Sequence, residues 1–303
     1  METIMTNKKN IIIKNYSPLR YPGGKAKLYP LVSTLIKKSN IKKPVYIEPF
    51  AGGAGLALSL LYNNDVEEIV INDYDKAVYS MWRAILTQSR KFTELIKQTP
   101  VTIEEWQHQK NIYLTQKDSY SIELGFSTFY LNRANRSGII SAGPIGGYNQ
   151  NGNYKIDVRF NKEDLIKRVQ KIASYKDKIH LYNHDVRIFI SKYLPKYIDR
   201  SFIYFDPPYY DKGKMLYKNF FNDEDHREIY ELVKGLNCPW LVTYDDVQEI
   251  REIYSNYTCW KFDLVYGVAN SGLNSEILYI SDSSLLPKNE ELSAIKINLR
   301  KSN

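Results

Sequence analysis

The chain holds only two cysteines, Cys238 and Cys259, with no metal-ligand spacing between them. That pattern excludes a zinc finger and a disulfide framework as organising features. Its four histidines (His108, His180, His184 and His226) are scattered, and only His180 and His184 lie close in sequence. No metal site is expected. No stretch approaches the roughly 18 apolar residues that span a bilayer, and the opening METIMTNKKNIII is too short in apolar character for a signal peptide. A cytoplasmic protein with no membrane partner is the expectation. Intrinsic disorder is excluded as a global state, because 43% of residues are hydrophobic and 25% charged. What is abundant is positive charge and tyrosine. Lys and Arg number 42 against 34 Asp and Glu, a formal charge of +8. That balance suits a polyanionic partner, and equally a merely basic soluble protein. The 26 tyrosines suit base stacking and ordinary cores alike.

The 303 residues fit one large domain, or a core of about 200 residues with an insertion. Seven short apolar or β-branched runs predict strands: Val45–Ile47, Ile69–Ile71, His180–Tyr182, Phe202–Phe205, Trp240–Thr243, Cys259–Leu264 and Ile277–Ile280. Helical periodicity falls between them, over Leu56–Leu61, Asp75–Leu86, Lys162–Ile172, Asp223–Leu236 and Asp246–Tyr254. Alternation of this kind predicts an α/β fold with a mainly parallel sheet covered on both faces. Asn222 or Asp223 is the expected cap of its helix, and Gly235 lies near the end. The alternation breaks from about Gln98 to Arg159. There a semi-apolar run, SIELGFSTFYLNRANR, precedes a segment with Gly138, Gly143, Gly146, Gly147 and Gly152 among β-formers. It reads as a β-hairpin or an extended loop. The expected division is a discontinuous catalytic domain at 1–85 and 160–285, a small insert at 86–159, and a polar tail at 286–303.

Ligands in open α/β sheets bind outside the carboxyl ends of the strands. Glu48-Pro-Phe-Ala-Gly-Gly-Ala-Gly55 follows a strand and precedes a helix, and small residues there allow close backbone approach. Asp73, after the second strand, is placed to accept hydrogen bonds from ribose hydroxyls. A glycine-rich turn alone is usually structural; with the acid downstream a nucleoside ligand becomes an equal reading. The spacing is not G-x-G-x-x-G, which disfavours NAD. Upstream, Pro18-Leu-Arg-Tyr-Pro-Gly-Gly-Lys25 forms an exposed turn that presents Lys25 beside Tyr21, a cation for the carboxylate of a zwitterionic amino acid. Standing alone, that segment would read as a surface turn.

Ser201-Phe-Ile-Tyr-Phe-Asp206-Pro-Pro-Tyr209 runs an apolar strand into an acid, two prolines and an aromatic. The prolines end the ladder and stiffen the loop. An aromatic amine is a poor nucleophile because its lone pair is delocalised into the ring. Asp206 and the carbonyl of Pro207 are placed to accept its two N–H bonds, freeing the lone pair toward a methyl group, while Tyr209 stacks on the base.

With those residues the chain resembles the Dam-type DNA adenine-N6 methyltransferases. The resemblance covers about residues 16–285 and rests on PLRYPGGK, YIEPFAGGAG, INDYD, FYLNR, LYNHD, FDPPYY and SEILYIS in that order. It implies a class I methyltransferase, Rossmann-like, with a seven-stranded mainly parallel sheet and a helical and β-hairpin target-recognition insert. It implies S-adenosyl-L-methionine as methyl donor and S-adenosyl-L-homocysteine as product. Tyr21, Gly24 and Lys25 would lie at the methionine moiety, with Glu48, Phe50, Gly52 and Gly55 passing close. Asp73 would hold the ribose, and Asp185 with Val186 the adenine ring. Asp206, Pro207, Pro208 and Tyr209 would be catalytic, with Asp206 also beside the cofactor. Double-stranded DNA is the implied substrate, its target base flipped out. A cognate restriction endonuclease is a possible partner in a restriction-modification system, against an orphan or phage role, and a monomer is the default. Two departures stand out. Ala54 replaces an expected glycine, at the cost of one methyl group. After Arg133 the chain leaves the pattern of members that read GATC, so the target sequence does not carry over. Arg133, Asn135, Arg136, Asn149 and Asn151 remain candidates for phosphate or base contacts. Methylation of cytosine N4 or an RNA adenine is a nearby alternative, and a DNA-binding module with a vestigial pocket is an alternative of another class.

Overall fold

A computed structural model describes residues 16–20, 24–116, 119–211, 221–262, 276–295 and 297–302. Eight strands form one sheet: β1 (Val45–Glu48), β2 (Glu68–Asn72), β3 (Ile179–Tyr182), β4 (Ser201–Phe205), β5 (Trp240–Asp245), β6 (Trp260–Phe262), β7 (Glu276–Ile280) and β8 (Leu299–Lys301). Their order across the sheet is β3-β2-β1-β4-β5-β7-β6-β8. The first five are parallel. β7 runs antiparallel between β5 and β6, and β8 lies antiparallel on β6. β1, β4 and β5 are buried along their whole length, which is why they read as near-continuous apolar runs.

All seven expected strands are present, with residues 263 and 264 of the sixth outside the described residues. The expected strand count is one too low. β8 comes from the segment read as a polar tail, where Leu299 pairs with Phe262 and is buried while Arg300 and Lys301 face solvent. One apolar residue in three gives almost no sequence signal, and the charged pair suits an edge strand.

Helices cover both faces over two hydrophobic clusters. The first face carries α1 (Tyr29–Lys38), α2 (Gly55–Tyr62), α3 (Lys76–Thr87) and α7 (Lys162–Ser174). The second carries the stretch from Val186 to Tyr197 and the helices Asp223–Lys234 and Gln248–Ile253. Asn222 caps Asp223–Lys234 in a capping box with Asp225, as its sequence predicts. None of the helices among the described residues is long and apolar enough to cross a membrane.

The insert supplies α4 (Ser89–Gln98), α5 (Ile103–Gln116) and α6 (Ile122–Ala134). Every α6 residue except Glu123 is buried, so the run has no polar stripe. A Cβ on Gly125 would lie 2.7 Å from the backbone of Ser80, so glycine lets α6 seat directly on α3. Phe92, Phe126, Phe129, Tyr130 and Phe160 join the insert to the cluster under the sheet.

Beyond α6 the segment follows the extended-loop reading and not the β-hairpin. Among residues 139–160 no strand forms, and a single bridge joins Asn135 to Pro144. Positive φ at Ser137, Gly138, Gly146, Gly147 and Gln150 winds this segment into successive turns instead. Gln150 pins them, donating to the carbonyls of Ile145 (2.8 Å) and Gly147 (2.6 Å) and accepting from the Ile156 amide at 2.8 Å.

Candidate active site

β1 has β2 on one side and β4 on the other, so the chain leaves it in opposite directions and opens a crevice at the carboxyl ends. Glu48, Asp73, Asp185, Asp206 and Asp245 stand at the ends of five neighbouring parallel strands. Because β7 is antiparallel, its first residue Glu276 reaches the same edge, in register with Asp245.

The glycine-rich turn is fixed from below. Asp73 accepts from the Gly52 amide (2.8 Å) and from the Asp75 amide (2.9 Å), one on each carboxylate oxygen. Trp82 donates to the Gly52 carbonyl at 2.9 Å. Asn72 donates to the carbonyls of Pro49 and His184, both at 3.0 Å, and so ties this turn to the one before Asp185. A side chain on Gly53 would collide with Ser17; that glycine makes room for the chain's own segment rather than a ligand. Ala54 takes the left-handed conformation as N-cap of α2, with φ 45°. Its departure is therefore conformational, about 1 kcal/mol, more than the methyl group itself.

The residues fit a nucleoside bearing a hydroxylated sugar. Each Asp73 oxygen keeps a lone pair for a hydroxyl. Phe50 is half-buried, and Val186 is buried. Asp185 caps the turn after β3 and pairs with Arg187 (3.1 Å), which also binds Glu228 (2.5 Å) and Asp225. Gly24 is exposed with an ordinary φ of −52°, and Tyr21 lies outside the described residues.

Lys25 is not the exposed cation its turn suggests. It is buried, and its ammonium lies 2.5 Å from the Tyr209 hydroxyl, 3.1 Å from Glu276 and 3.5 Å from Asp206. Tyr209 accepts a hydrogen bond from it, and the two carboxylates face it as ion-pair partners. The ammonium therefore belongs to the catalytic loop.

That loop is held at both ends. Asp206 accepts from the Thr243 hydroxyl at 3.0 Å. Asp245, buried, accepts from the amides of Tyr210 (3.0 Å) and Asp211 (3.1 Å). Pro207 is buried, while Pro208 and Tyr209 are half-buried, and Lys25 lies 4.8 Å from the centre of the Tyr209 ring. Thr243, Asp245, Glu276 and Asn72 went unassigned in the sequence. Each acts through a neighbouring strand, and only the sheet order shows which strands those are.

Burial pushes the Asp206 carboxyl up to about 6; Lys25 opposes that rise and Glu276 adds to it. Burial likewise pushes Asp73 to about 7 and Glu48, bonded to the Tyr46 hydroxyl and the Ala57 amide, to about 8. In the unfolded chain all three ionise near 4. The native state thus holds more protons between those limits, and their stabilising contribution is lost as pH rises through 6–8. Thermal melts of the unliganded protein are expected to fall by a few degrees from pH 6 to pH 8.5; a rise would refute this.

Two of the insert residues proposed for DNA contact face inward. Arg133 is buried and donates to the carbonyls of Pro18 (2.9 Å) and Ser17 (3.4 Å). Asn135, fully buried, accepts from the Trp106 indole (2.6 Å) and donates to the carbonyls of Ile139 (2.9 Å) and Ile140 (3.0 Å). Asn135 has no atom left to offer a base, and Arg133 is turned onto the Ser17–Pro18 backbone. Asn132, unassigned in the sequence, holds the Arg20 backbone through its amide and carbonyl at 2.7 and 3.0 Å. Arg136, Asn149 and Asn151 are exposed, as are Tyr148 and Tyr154.

Residues 21–268 match the family described as D12 class N6 adenine-specific DNA methyltransferase. The chain is 24% identical over 241 residues to the type II methyltransferase M.MjaIII of Methanocaldococcus jannaschii, covering 72% of this chain and 79% of that protein. It is 25% identical over 217 residues to the type II methyltransferase M1.LlaDCHI of Lactococcus lactis subsp. cremoris, covering 66% and 69%. The rRNA methyltransferase aviRa from Streptomyces viridochromogenes superposes over 82% of this chain and 83% of its own, at 9% identity and a TM-score of 0.30. So loose a superposition bears on neither site nor substrate. With the family matched across the crevice and the catalytic loop, this chain belongs to the D12 class N6 adenine-specific DNA methyltransferases, which transfer a methyl group from S-adenosylmethionine to the amino nitrogen of adenine in DNA.

Proposed function

We propose that the chain acts on an adenine flipped out of double-stranded DNA, with Asp206 and the Pro207 carbonyl accepting the two amino protons. The observation that carries this is the Asp206 carboxylate: it stands at the strand end, fixed by Thr243 and Lys25 on a loop that Asp245 anchors. Accepting both N–H bonds pulls the nitrogen toward tetrahedral and turns its lone pair outward. S-adenosylmethionine, when bound, supplies an electrophilic methyl on sulfur and leaves as S-adenosylhomocysteine. Asp73 would hold its ribose, Asp185 and Val186 its adenine, and Glu48, Phe50, Gly52 and Gly55 would border it. Tyr209 stacks on the flipped base, a contact worth about 1–3 kcal/mol, and the base must leave the duplex to reach it.

The insert at residues 86–159 reads the target in this proposal, with Arg136, Asn149 and Asn151 on the exposed turns. Arg136→Ala is expected to raise the Kd for duplex DNA about three- to tenfold and to lower the salt slope by about one. Its melting temperature should not change. Anisotropy titrations across KCl concentrations check this, and an unchanged Kd and slope would remove Arg136 from the interface. Similarity to two type II methyltransferases supports a role beside a restriction endonuclease; in this proposal the chain acts as a monomer. Incubation with labelled cofactor and unmethylated duplex, followed by digestion to nucleosides, tests the chemistry. N6-methyladenine is expected; N4-methylcytosine, or no methylated nucleoside at all, refutes the reading.

A further inference from the structure

The Lys25 ammonium stands between two carboxylates, and the nearer one is not the catalytic one. Glu276 lies 3.1 Å from Nζ and Asp206 3.5 Å. We propose that Glu276 is a positioning residue for methyl transfer: it draws the Lys25 ammonium away from full pairing with Asp206, leaving that carboxylate free to accept an amino proton of the target. The inference rests on the reading of Asp206 given above.

Lys25 alone opposite Asp206 would make a tight ion pair. In a water-poor crevice such a pair makes the carboxylate a weak acceptor, because the ammonium already occupies its lone pairs. Glu276 is buried at the start of β7, and β7 enters the sheet beside β5. Its charge therefore reaches the same ammonium from β7, and it also acts on the Tyr209 hydroxyl of the catalytic loop. The Tyr209 hydroxyl accepts from the ammonium at 2.5 Å, so two partners hold the ammonium nearer than Asp206 does.

Other polar groups from the packed elements act on Asp206 as well. Tyr46 and Glu48 stand on β1, Tyr204 on β4, and Thr243 and Tyr244 on β5. None of these touches Lys25 among the contacts described. Burial raises the Asp206 carboxyl most, Lys25 opposes it and Glu276 restores it; the last two are of opposite sign and act through one ammonium. When the N6–methyl bond forms, the bond to the donor sulfur breaks and its electron pair stays on sulfur. The amino nitrogen is left with one proton in excess. Asp206 accepts that proton and releases it to solvent, a task that needs a carboxylate not neutralised by Lys25.

Two readouts test the assignment. In the cofactor-free protein, carbon-13 NMR of labelled aspartate follows the Asp206 carboxyl through pH, with the signal assigned by its loss in Asp206→Asn. The acid limb of the methylation rate against pH gives the second midpoint. Glu276→Gln is expected to move both midpoints about one unit toward acid, and to lower kcat at pH 7.5 about three- to tenfold. The Kd for S-adenosylmethionine should not change. Glu276→Asp keeps the charge but draws it back by one methylene, and its midpoint should fall between those of Glu276→Gln and the wild type. If Glu276→Gln does not fold, Glu276→Asp decides alone. Midpoints that stay at the wild-type value overturn the assignment. A wild type that forms no N6-methyladenine refutes the function reading instead, while the NMR titration still judges Glu276.

Discussion

Asp206→Ala is expected to lower kcat for N6-methyladenine formation about a thousandfold while S-adenosylmethionine still binds. A preorganised group aimed at charge that develops in the transition state is worth about 3–4 kcal/mol when removed. Asp206 is such a group, fixed by Thr243 at 3.0 Å and by a loop whose far end hangs from Asp245. Without it the Pro207 carbonyl alone engages the amine, and the nitrogen lone pair stays largely in the ring. Asp206→Asn keeps shape and the Thr243 contact but loses the charge, and should fall nearly as far. For the wild type, the same carboxyl at about 6 predicts a rate that rises with pH through that value and then levels. A protonated Asp206 donates where it should accept. Single-turnover assays with nucleoside readout, run beside cofactor titrations, check both points. Activity of the Ala variant within tenfold of wild type would place the essential acceptor elsewhere.

The parts of this site that were legible in the sequence share one property: each is local. Strands β1, β2 and β4 are almost wholly buried, so their apolar runs stand out, and the glycine turn or acid that ends each lies close behind. Asp73 and Asp206 could be read in this way. The capping box at Asn222 follows the same rule, whereas Asp185 came only with the family resemblance. What stayed illegible depends on neighbours far apart in sequence. Lys25 reads as a surface cation because its turn is glycine-rich and short. Its burial follows from Glu276, some 250 residues on, reaching the same edge because β7 is antiparallel. The missing hairpin has a different cause. Glycines among β-formers fit paired strands and serial turns equally well, and the choice falls to Gln150, whose side chain ties three backbone groups of one loop.

Arg133 and Asn135 are buried where the sequence suggests DNA contacts. Both residues carry groups that suit DNA, and both sit where the insert leaves α6, so sequence alone places them at the interface. In the structure Asn135 is fully buried and uses its oxygen and both amide protons inside the protein. Asn135→Ala leaves the Trp106 N–H and the carbonyls of Ile139 and Ile140 without that partner. Lys110 still reaches the Ile140 carbonyl at 3.0 Å, so the loss is concentrated on Trp106 and Ile139. Unsatisfied buried groups cost about 1–3 kcal/mol each, and the variant is expected to lose about 3 kcal/mol of stability in denaturant titrations. A residue that reads bases would behave in the opposite way, weakening or relaxing DNA recognition while the folded state kept its stability. The turn that Asn135 braces also carries Arg136 outward, so DNA affinity should fall in step with the stability loss. Arg136→Ala separates the two effects, since it should weaken binding with the melting temperature unmoved. If Asn135→Ala keeps its stability and changes only which sequence is methylated, the buried amide is not the brace that its three bonds make it.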